Sequence, residues 1–152
     1  MPTGRAGCPW RLTSTKYNKF IMLAITDSQF EALVAEGIDR IPEDYARHIE
    51  NLAFVVEDEP TAEQRHKMGL RPHQTLFGLY EGIPLTKRGS GYNLVLPDKI
   101  TIFKNPILDF CRSFEELRQQ VNHTIWHEVA HYFGLDHHEM DAIIQRNRRS
   151  PA

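Results

Sequence analysis

Hydrophobic residues recur along this chain with two different periods, and the change of period marks the predicted elements. The apolar positions that follow Asp27 have helical spacing and are Phe30, Leu33, Val34 and Ile38. They predict a helix with Asp27 as its N-cap. Residues 52–57 form a run of β-branched and aromatic residues, which is typical of a strand.

The middle of the chain predicts short elements separated by turn residues. Their order predicts an α+β fold in which a small sheet of three to four strands packs on helices. The predicted segments are a helix over 43–50 with Pro42 in its first turn, a short polar helix or loop over 60–68, a strand over 75–80, a glycine-rich loop over 81–92, a strand over 99–104 and a short helix over 105–110.

A long amphipathic helix dominates the last third of the sequence. Ser113 is its predicted N-cap, with Glu116 at the capping-box position, and the helix is expected to reach Phe133. The apolar stripe on this helix is Val121, Ile125, Val129 and Phe133. A second capping-box pair, Asp136 and Glu139, predicts a last helix that ends near residue 145.

The end of the long helix carries the pattern H-E-x-x-H-x-x-G-x-x-H. His127 and His131 are four residues apart, so both rings lie on one helix face and can bind one ion. Gly134 is suited to end the helix, because glycine adopts the left-handed conformation without a steric cost. The chain can then turn and bring His137 to the same ion.

This pattern predicts a catalytic zinc site with one Zn²⁺ per chain. Three protein ligands leave one position open for water, and zinc lowers the pKa of bound water from ~15.7 to ~7. Glu128 follows the first ligand directly, which places its carboxylate beside the ion as a general base. The predicted ligands are His127, His131 and His137, and the predicted catalytic residue is Glu128.

The motif resembles the long zinc-binding consensus of the zincin metallopeptidases. More narrowly, residues 27–144 resemble a family of small bacterial zincin-like metallopeptidases. The segments that carry the likeness are NLAFVVEDEP at 51–60, LYEGIPLT at 79–86, PDKITIF at 97–103 and HEVAHYFG at 127–134. The resemblance implies a cytoplasmic protein with a minimal zincin fold. In that family the third ligand position is often Asp, so His137 is a variant there.

Composition fits a single globular domain. The chain has 152 residues and a formal net charge of −2, which gives no electrostatic case for nucleic-acid binding. No apolar run approaches the ~20 residues that span a bilayer. Cys8 and Cys111 form no C-x-x-C pair, and a reduced cytoplasmic chain is the simpler interpretation. We expect a disordered arm over 1–20, one domain over 21–147 and a basic tail over 148–152.

Several neighbouring residues remain alternatives for the site. His138 or an acidic residue can replace His137 as third ligand, although spacing favours His137. Glu139 and Asp141 follow His131 too closely for the arrangement of Glu-type zincins. The other candidates are Asp136 as a residue that orients a ligand or caps a helix, His123 as a surface residue or a support for the ligands, and Tyr80 and Tyr92 as stabilisers of an oxyanion.

The sequence thus predicts a zinc metalloendopeptidase that acts, as a monomer, on a peptide or protein substrate. An extended peptide is expected to pair with an edge strand beside the zinc, for which residues 75–80 are the first candidate. The alternative is a non-catalytic zinc-binding domain with a structural, adaptor or regulatory role, which would close its site with a fourth protein ligand. A peptidase restricted to one partner is a further alternative.

Overall fold

The structure is a computed structural model that describes residues 23–90 and 96–149. Within these residues it confirms the α+β prediction, with one three-stranded sheet among helices. The elements are α1 (Asp27–Asp39), α2 (Glu43–Ala46), β1 (Leu52–Glu57), α3 (Ala62–Lys67), β2 (Gly78–Glu81), a 3₁₀ turn (Leu85–Lys87), β3 (Asp98–Phe103), α4 (Lys104–Phe110), α5 (Phe114–Tyr132) and α6 (His137–Arg149).

The sheet has the strand order β1-β3-β2. Strands β1 and β3 run parallel, with Val55 opposite Thr101, and β2 runs antiparallel to β3, with Leu79 opposite Thr101. Every residue of β3 except Lys99 is buried, which is expected for a central strand covered on both faces. Strand β2 therefore forms one edge of the sheet in the described part of the chain.

Helix α5 packs across β2 and β3, and α1 packs on α5. Because the apolar stripe of α5 faces this layer, Val121, Ile125 and Val129 are fully buried, as the helical spacing predicts. The core also takes residues from α1, β3 and α4, among them Phe30, Ile100, Ile102 and Ile107. The C-terminal end of α5, which carries the H-E-x-x-H residues, is thereby held against β2.

Two helix starts differ from the predicted caps. Thr26, not Asp27, is the N-cap of α1, because its hydroxyl accepts a hydrogen bond from Gln29 N and Gln29 returns one to Thr26 N. Asp27 lies in the first turn and forms an ion pair with Lys104. Ser113 caps α5 as predicted, but the carboxylate of Glu116 accepts from Arg112 N rather than from Ser113 N.

Three further boundaries correct the prediction. Helix α2 ends at Ala46, because His48 N and Ile49 N donate to carbonyls three residues back. Tyr132 Oη then binds both Glu50 N and Glu50 O. Strand β2 begins at Gly78 rather than at residue 75, because its partner strand β3 ends at Phe103, which lies opposite Phe77. Strand β3 starts and ends one residue earlier than predicted, so α4 begins at Lys104 rather than at residue 105.

The last helix is longer than predicted. Helix α6 continues to Arg149, so residues 148 and 149 of the expected basic tail are helical. The predicted arm over 1–20 lies outside the described residues, and the assignment of 21–147 to one domain stays a prediction. In the described part of the chain no helix is both long enough and apolar enough to cross a membrane.

Candidate active site

His127 and His131 lie one turn apart near the C-terminal end of α5, as their spacing predicts. Their Nε2 atoms are 3.1 Å apart, and their ring centroids are 4.7 Å apart. Glu128 lies between them along the helix, and potential ligand atoms of all three residues lie within 4.8 Å of one another. The structure thus brings the three central motif residues into one group that could hold a metal ion.

A glycine turn then brings His137 beside this group, although its ligand atoms are not among those that lie within 4.8 Å of one another. Gly134 has φ 74°, its N–H donates to His131 O, and Leu135 N donates to Ala130 O. These two bonds are those of a Schellman motif, which satisfies the last carbonyls of the helix. His137 is the first residue of α6, and its ring centroid lies 5.3 Å from that of His127 and 5.9 Å from that of His131.

The two helix histidines are held in their neutral form. Burial, followed by the charges of His131, His137 and His123, lowers the pKa of His127 to about 3. Burial and His137 lower the pKa of His131 as well. Neutral imidazole is the form that binds a metal, because the ring nitrogen must offer its lone pair.

The donor set fits zinc. Zinc binds imidazole nitrogen at about 2.0–2.1 Å in tetrahedral geometry, which places two ligand nitrogens roughly 3.3 Å apart. The 3.1 Å between the Nε2 atoms of His127 and His131 is close to that separation. Two half-buried, neutral rings at this distance can bind one metal ion together. Protonation of both rings would instead place two positive charges side by side.

Glu128 is buried, with 7 % of its surface exposed, and points toward the sheet edge. Its Oε2 accepts a hydrogen bond of 2.9 Å from Tyr80 N. Burial raises the pKa of Glu128 to about 8, and the bond from Tyr80 opposes this rise. A carboxyl group whose pKa lies near neutrality can both accept and return a proton at physiological pH.

The open edge of β2 faces this group. Because Phe103 N donates to Phe77 O, the alternation of an antiparallel ladder directs Leu79 toward β3 and the backbone groups of Gly78 and Tyr80 away from it. A cleft of about 430 Å³ lies along this edge. It is lined by Met68, Leu70, Thr75, Leu76, Phe77, Gly78, Leu79, Tyr80, Pro84, Thr124, His127, Glu128, His131 and His137.

The alternative ligands lie elsewhere. Like His137, the residues His138, Glu139 and Asp141 are exposed, but unlike His137 they do not line the cleft. Asp136 N donates to Glu139 Oε2 and Glu139 N donates to Asp136 Oδ1, each at 2.8 Å. Asp136 is therefore the N-cap of α6, which was one of its two predicted roles. His123 affects the pKa of His127 but does not line the cleft.

The hydroxyl of Tyr80 is not directed at the histidines. It donates to Asp98 Oδ2 at 2.5 Å, and burial followed by this bond raises the pKa of Tyr80. Asp98 also forms an ion pair with Arg88, whose Nε donates to Ile83 O. The predicted oxyanion role of Tyr80 is therefore not supported by its contacts, and Tyr92 lies outside the described residues.

Asp98 and Arg88 were not anticipated as site residues. Together they bind the loop that follows β2 to the start of β3, and Pro84 of that loop lines the cleft. In the sequence Asp98 lies just before the predicted strand, and neither its burial nor its pairing with a residue ten positions earlier can be recognised there.

Comparison with known families agrees with this geometry. The sequence profile of a family described as zincin-like metallopeptidase matches residues 49–146, which include all three strands and the histidine group. No curated protein matches the chain significantly. The match covers well over half of the chain, and it includes the H-E-x-x-H helix and the edge strand beside it. The chain therefore belongs to the zincin-like metallopeptidase family.

Proposed function

We propose that this chain is a zinc-dependent endopeptidase. The observation that carries the proposal is the buried carboxyl of Glu128, held by Tyr80 N beside two neutral imidazoles at an open sheet edge. His127 and His131 would bind the zinc, with His137 as the third ligand because its ring centroid lies 5.3 and 5.9 Å from theirs and it lines the same cleft. A cytoplasmic location and a monomeric state belong to the same proposal.

Bound zinc would supply a Lewis acid that polarises the scissile carbonyl and makes water acidic enough to lose a proton at neutral pH. Glu128 accepts that proton as the carbonyl carbon is attacked and then returns it to the leaving amine. Since Tyr80 N occupies Oε2, the other carboxylate oxygen is the one available for this exchange. The same hydrogen bond keeps the carboxylate from turning away from the histidines.

The substrate would bind as an additional strand along β2. The backbone groups of Gly78 and the carbonyl of Tyr80 face the cleft and can pair with an extended peptide. Such pairing would place a peptide bond against the histidine group. It also restricts the substrate to extended segments, since a folded helix or sheet already uses its own backbone groups.

A non-catalytic zinc domain is the alternative. A structural site would need a fourth protein ligand, and among the described residues His138 and Asp141 are exposed and outside the cleft. A structural site has no use for a proton acceptor, yet the carboxyl group of Glu128 is buried beside the histidines at a cost in free energy that the bond from Tyr80 N only partly offsets.

The test is cleavage of a fluorogenic peptide library by the zinc-loaded protein. Activity should be lost with a chelator and restored by zinc. Glu128→Gln keeps an acceptor for Tyr80 N, so it should retain the metal and lose about 10²–10⁴-fold in rate. Full activity of this variant would contradict the proposed role of Glu128, and activity unaffected by metal removal would contradict the proposal as a whole.

A further inference from the structure

One wall of the cleft is apolar throughout. Of the described residues that line the cleft, the ionisable ones are the three histidines, Glu128 and Tyr80, whose hydroxyl is bound to Asp98. No lysine, arginine or aspartate is among them. The apolar lining residues are Met68, Leu70, Leu76, Phe77, Leu79 and Pro84.

The backbone fixes this wall before any substrate binds. Helix α3 ends in a Schellman motif, in which Gly69 has φ 62°, Gly69 N donates to His66 O and Leu70 N donates to Arg65 O. The turn directs the chain back from α3 toward β2. It thereby places Met68 and Leu70, which flank the glycine, at the cleft.

A single guanidinium then holds the segment between this turn and β2. Arg65 Nη2 lies 3.1, 3.3 and 2.8 Å from the carbonyl oxygens of Arg71, Pro72 and Gln74. Gln74 in turn accepts a hydrogen bond from Arg71 N through its side chain. The register of the sheet places Phe77 opposite Phe103, the last residue of β3, so residues 75 and 76 have no partner strand. Leu76 and Phe77 line the cleft.

We propose that the apolar residues that the segment 68–77 contributes to this wall are a specificity element that selects substrates with a bulky apolar side chain beside the scissile bond. These residues are Met68, Leu70, Leu76 and Phe77. The proposal rests on the proposed peptidase function. An aliphatic or aromatic side chain gains free energy by leaving water for the wall. A charged side chain would lose its hydration there without finding an opposite charge, so it is excluded.

Zinc-chelating hydroxamates test this selection without turnover. Isothermal titration calorimetry of the zinc-loaded protein would compare the N-acetyl hydroxamates of glycine, leucine, aspartate and lysine. The chelating group is the same in all four, so differences report the side chain. We expect the leucine compound to bind about ten- to a hundredfold tighter than the glycine compound. The aspartate and lysine compounds should bind no tighter than the glycine compound.

Substitutions in the wall test whether its residues cause the difference in affinity between the leucine and glycine compounds. Met68→Gln changes a residue that is 44 % exposed, so the fold should tolerate it. Leu70→Gln changes a second, half-buried wall residue. Both should reduce the leucine-to-glycine affinity ratio at least about threefold, because the glycine compound has no side chain that could contact the wall. Leu96→Gln is the matched control, because Leu96 is 76 % exposed and does not line the cleft.

The outcomes separate this proposal from the one on which it rests. If the glycine hydroxamate binds and the leucine hydroxamate binds no tighter, the zinc site stands and the specificity element is overturned. An unchanged affinity ratio in both wall variants overturns it as well. If no hydroxamate binds the zinc-loaded protein, the proposed function fails and the specificity element fails with it.

Discussion

The backbone N–H of Tyr80 donates a 2.9 Å hydrogen bond to Oε2 of Glu128, and this contact joins the edge strand to the motif helix. It fixes the orientation of a carboxyl group that is otherwise surrounded by apolar and histidine side chains. It also uses one of the backbone donors at the open edge of β2. The position of Glu128 therefore depends on how closely β2 approaches α5.

That approach requires a glycine at position 78. A Cβ added there would lie 2.8 Å from Thr124 Cγ2 and 3.0 Å from Glu128 Cγ. Gly78→Ala should therefore separate β2 from α5, cost about 1–3 kcal/mol of unfolding free energy and reduce peptidase activity more than tenfold. Chemical denaturation and cleavage assays on the zinc-loaded protein would measure the two effects.

Gly89→Ala is the control for this prediction, because no heavy atom lies within 4 Å of a Cβ added at Gly89. Its unfolding free energy should stay within about 0.5 kcal/mol of the wild type. Equal behaviour of the two alanine variants would show that the contact between β2 and α5 does not limit the site.

The third ligand can be identified by a matched pair of variants. His137→Ala should weaken zinc binding by more than ~100-fold, since loss of a mere outer-shell partner already costs about 10–100-fold. His138→Ala, one residue later and outside the cleft, should leave the affinity unchanged. Competition with a chromophoric chelator gives both values. The opposite order of affinities would assign the role to His138.

The metal-free protein should lose stability as the pH rises through the range in which Glu128 titrates. Glu128 has its pKa raised from 4.5 to about 8, so the folded state keeps a proton that the unfolded chain has released. Its contribution to stability is complete below pH 4.5 and is lost as the pH rises toward 8.

Glu128→Gln cannot titrate and provides the reference for this pH dependence. The unfolding free energy of the wild type minus that of the variant, measured with a chelator present, should fall by up to several kcal/mol between pH 5 and pH 8. A difference that stays constant across this range would show that the pKa of Glu128 is not raised.

Local patterns in the sequence predicted the parts of the fold that depend on local chemistry. Strand β1 has the predicted bounds, and the stripe of α5 is buried as its spacing requires. The glycine turn before His137 was predicted from the conformation that Gly134 adopts. Each of these features depends on residues that are close together in the chain. There the conformational preferences of the residues and the spacing of the apolar positions determine the local structure.

Contacts between distant residues were not predictable in the same way. The hydrogen bond from Tyr80 N to Glu128 joins a backbone group to a side chain 48 positions away. Every residue except proline has a backbone N–H, so the sequence does not indicate which one is the donor. Residues 75–77 have the composition of a strand, but the partner strand β3 ends at Phe103, opposite Phe77. Met68 and Leu70 reach the cleft through the glycine turn that ends α3, whereas the sequence predicted for residues 60–68 a short polar helix or loop without a role in the site.

The central claim is that the three histidines hold one zinc ion, and elemental mass spectrometry of the purified protein tests it most directly. The wild type should contain about one zinc per chain, and His127→Ala should contain almost none, because His127 Nε2 lies 3.1 Å from its partner nitrogen in His131. Wild-type protein that binds no zinc even after reconstitution, or a His127→Ala variant that keeps a full equivalent, would contradict the account.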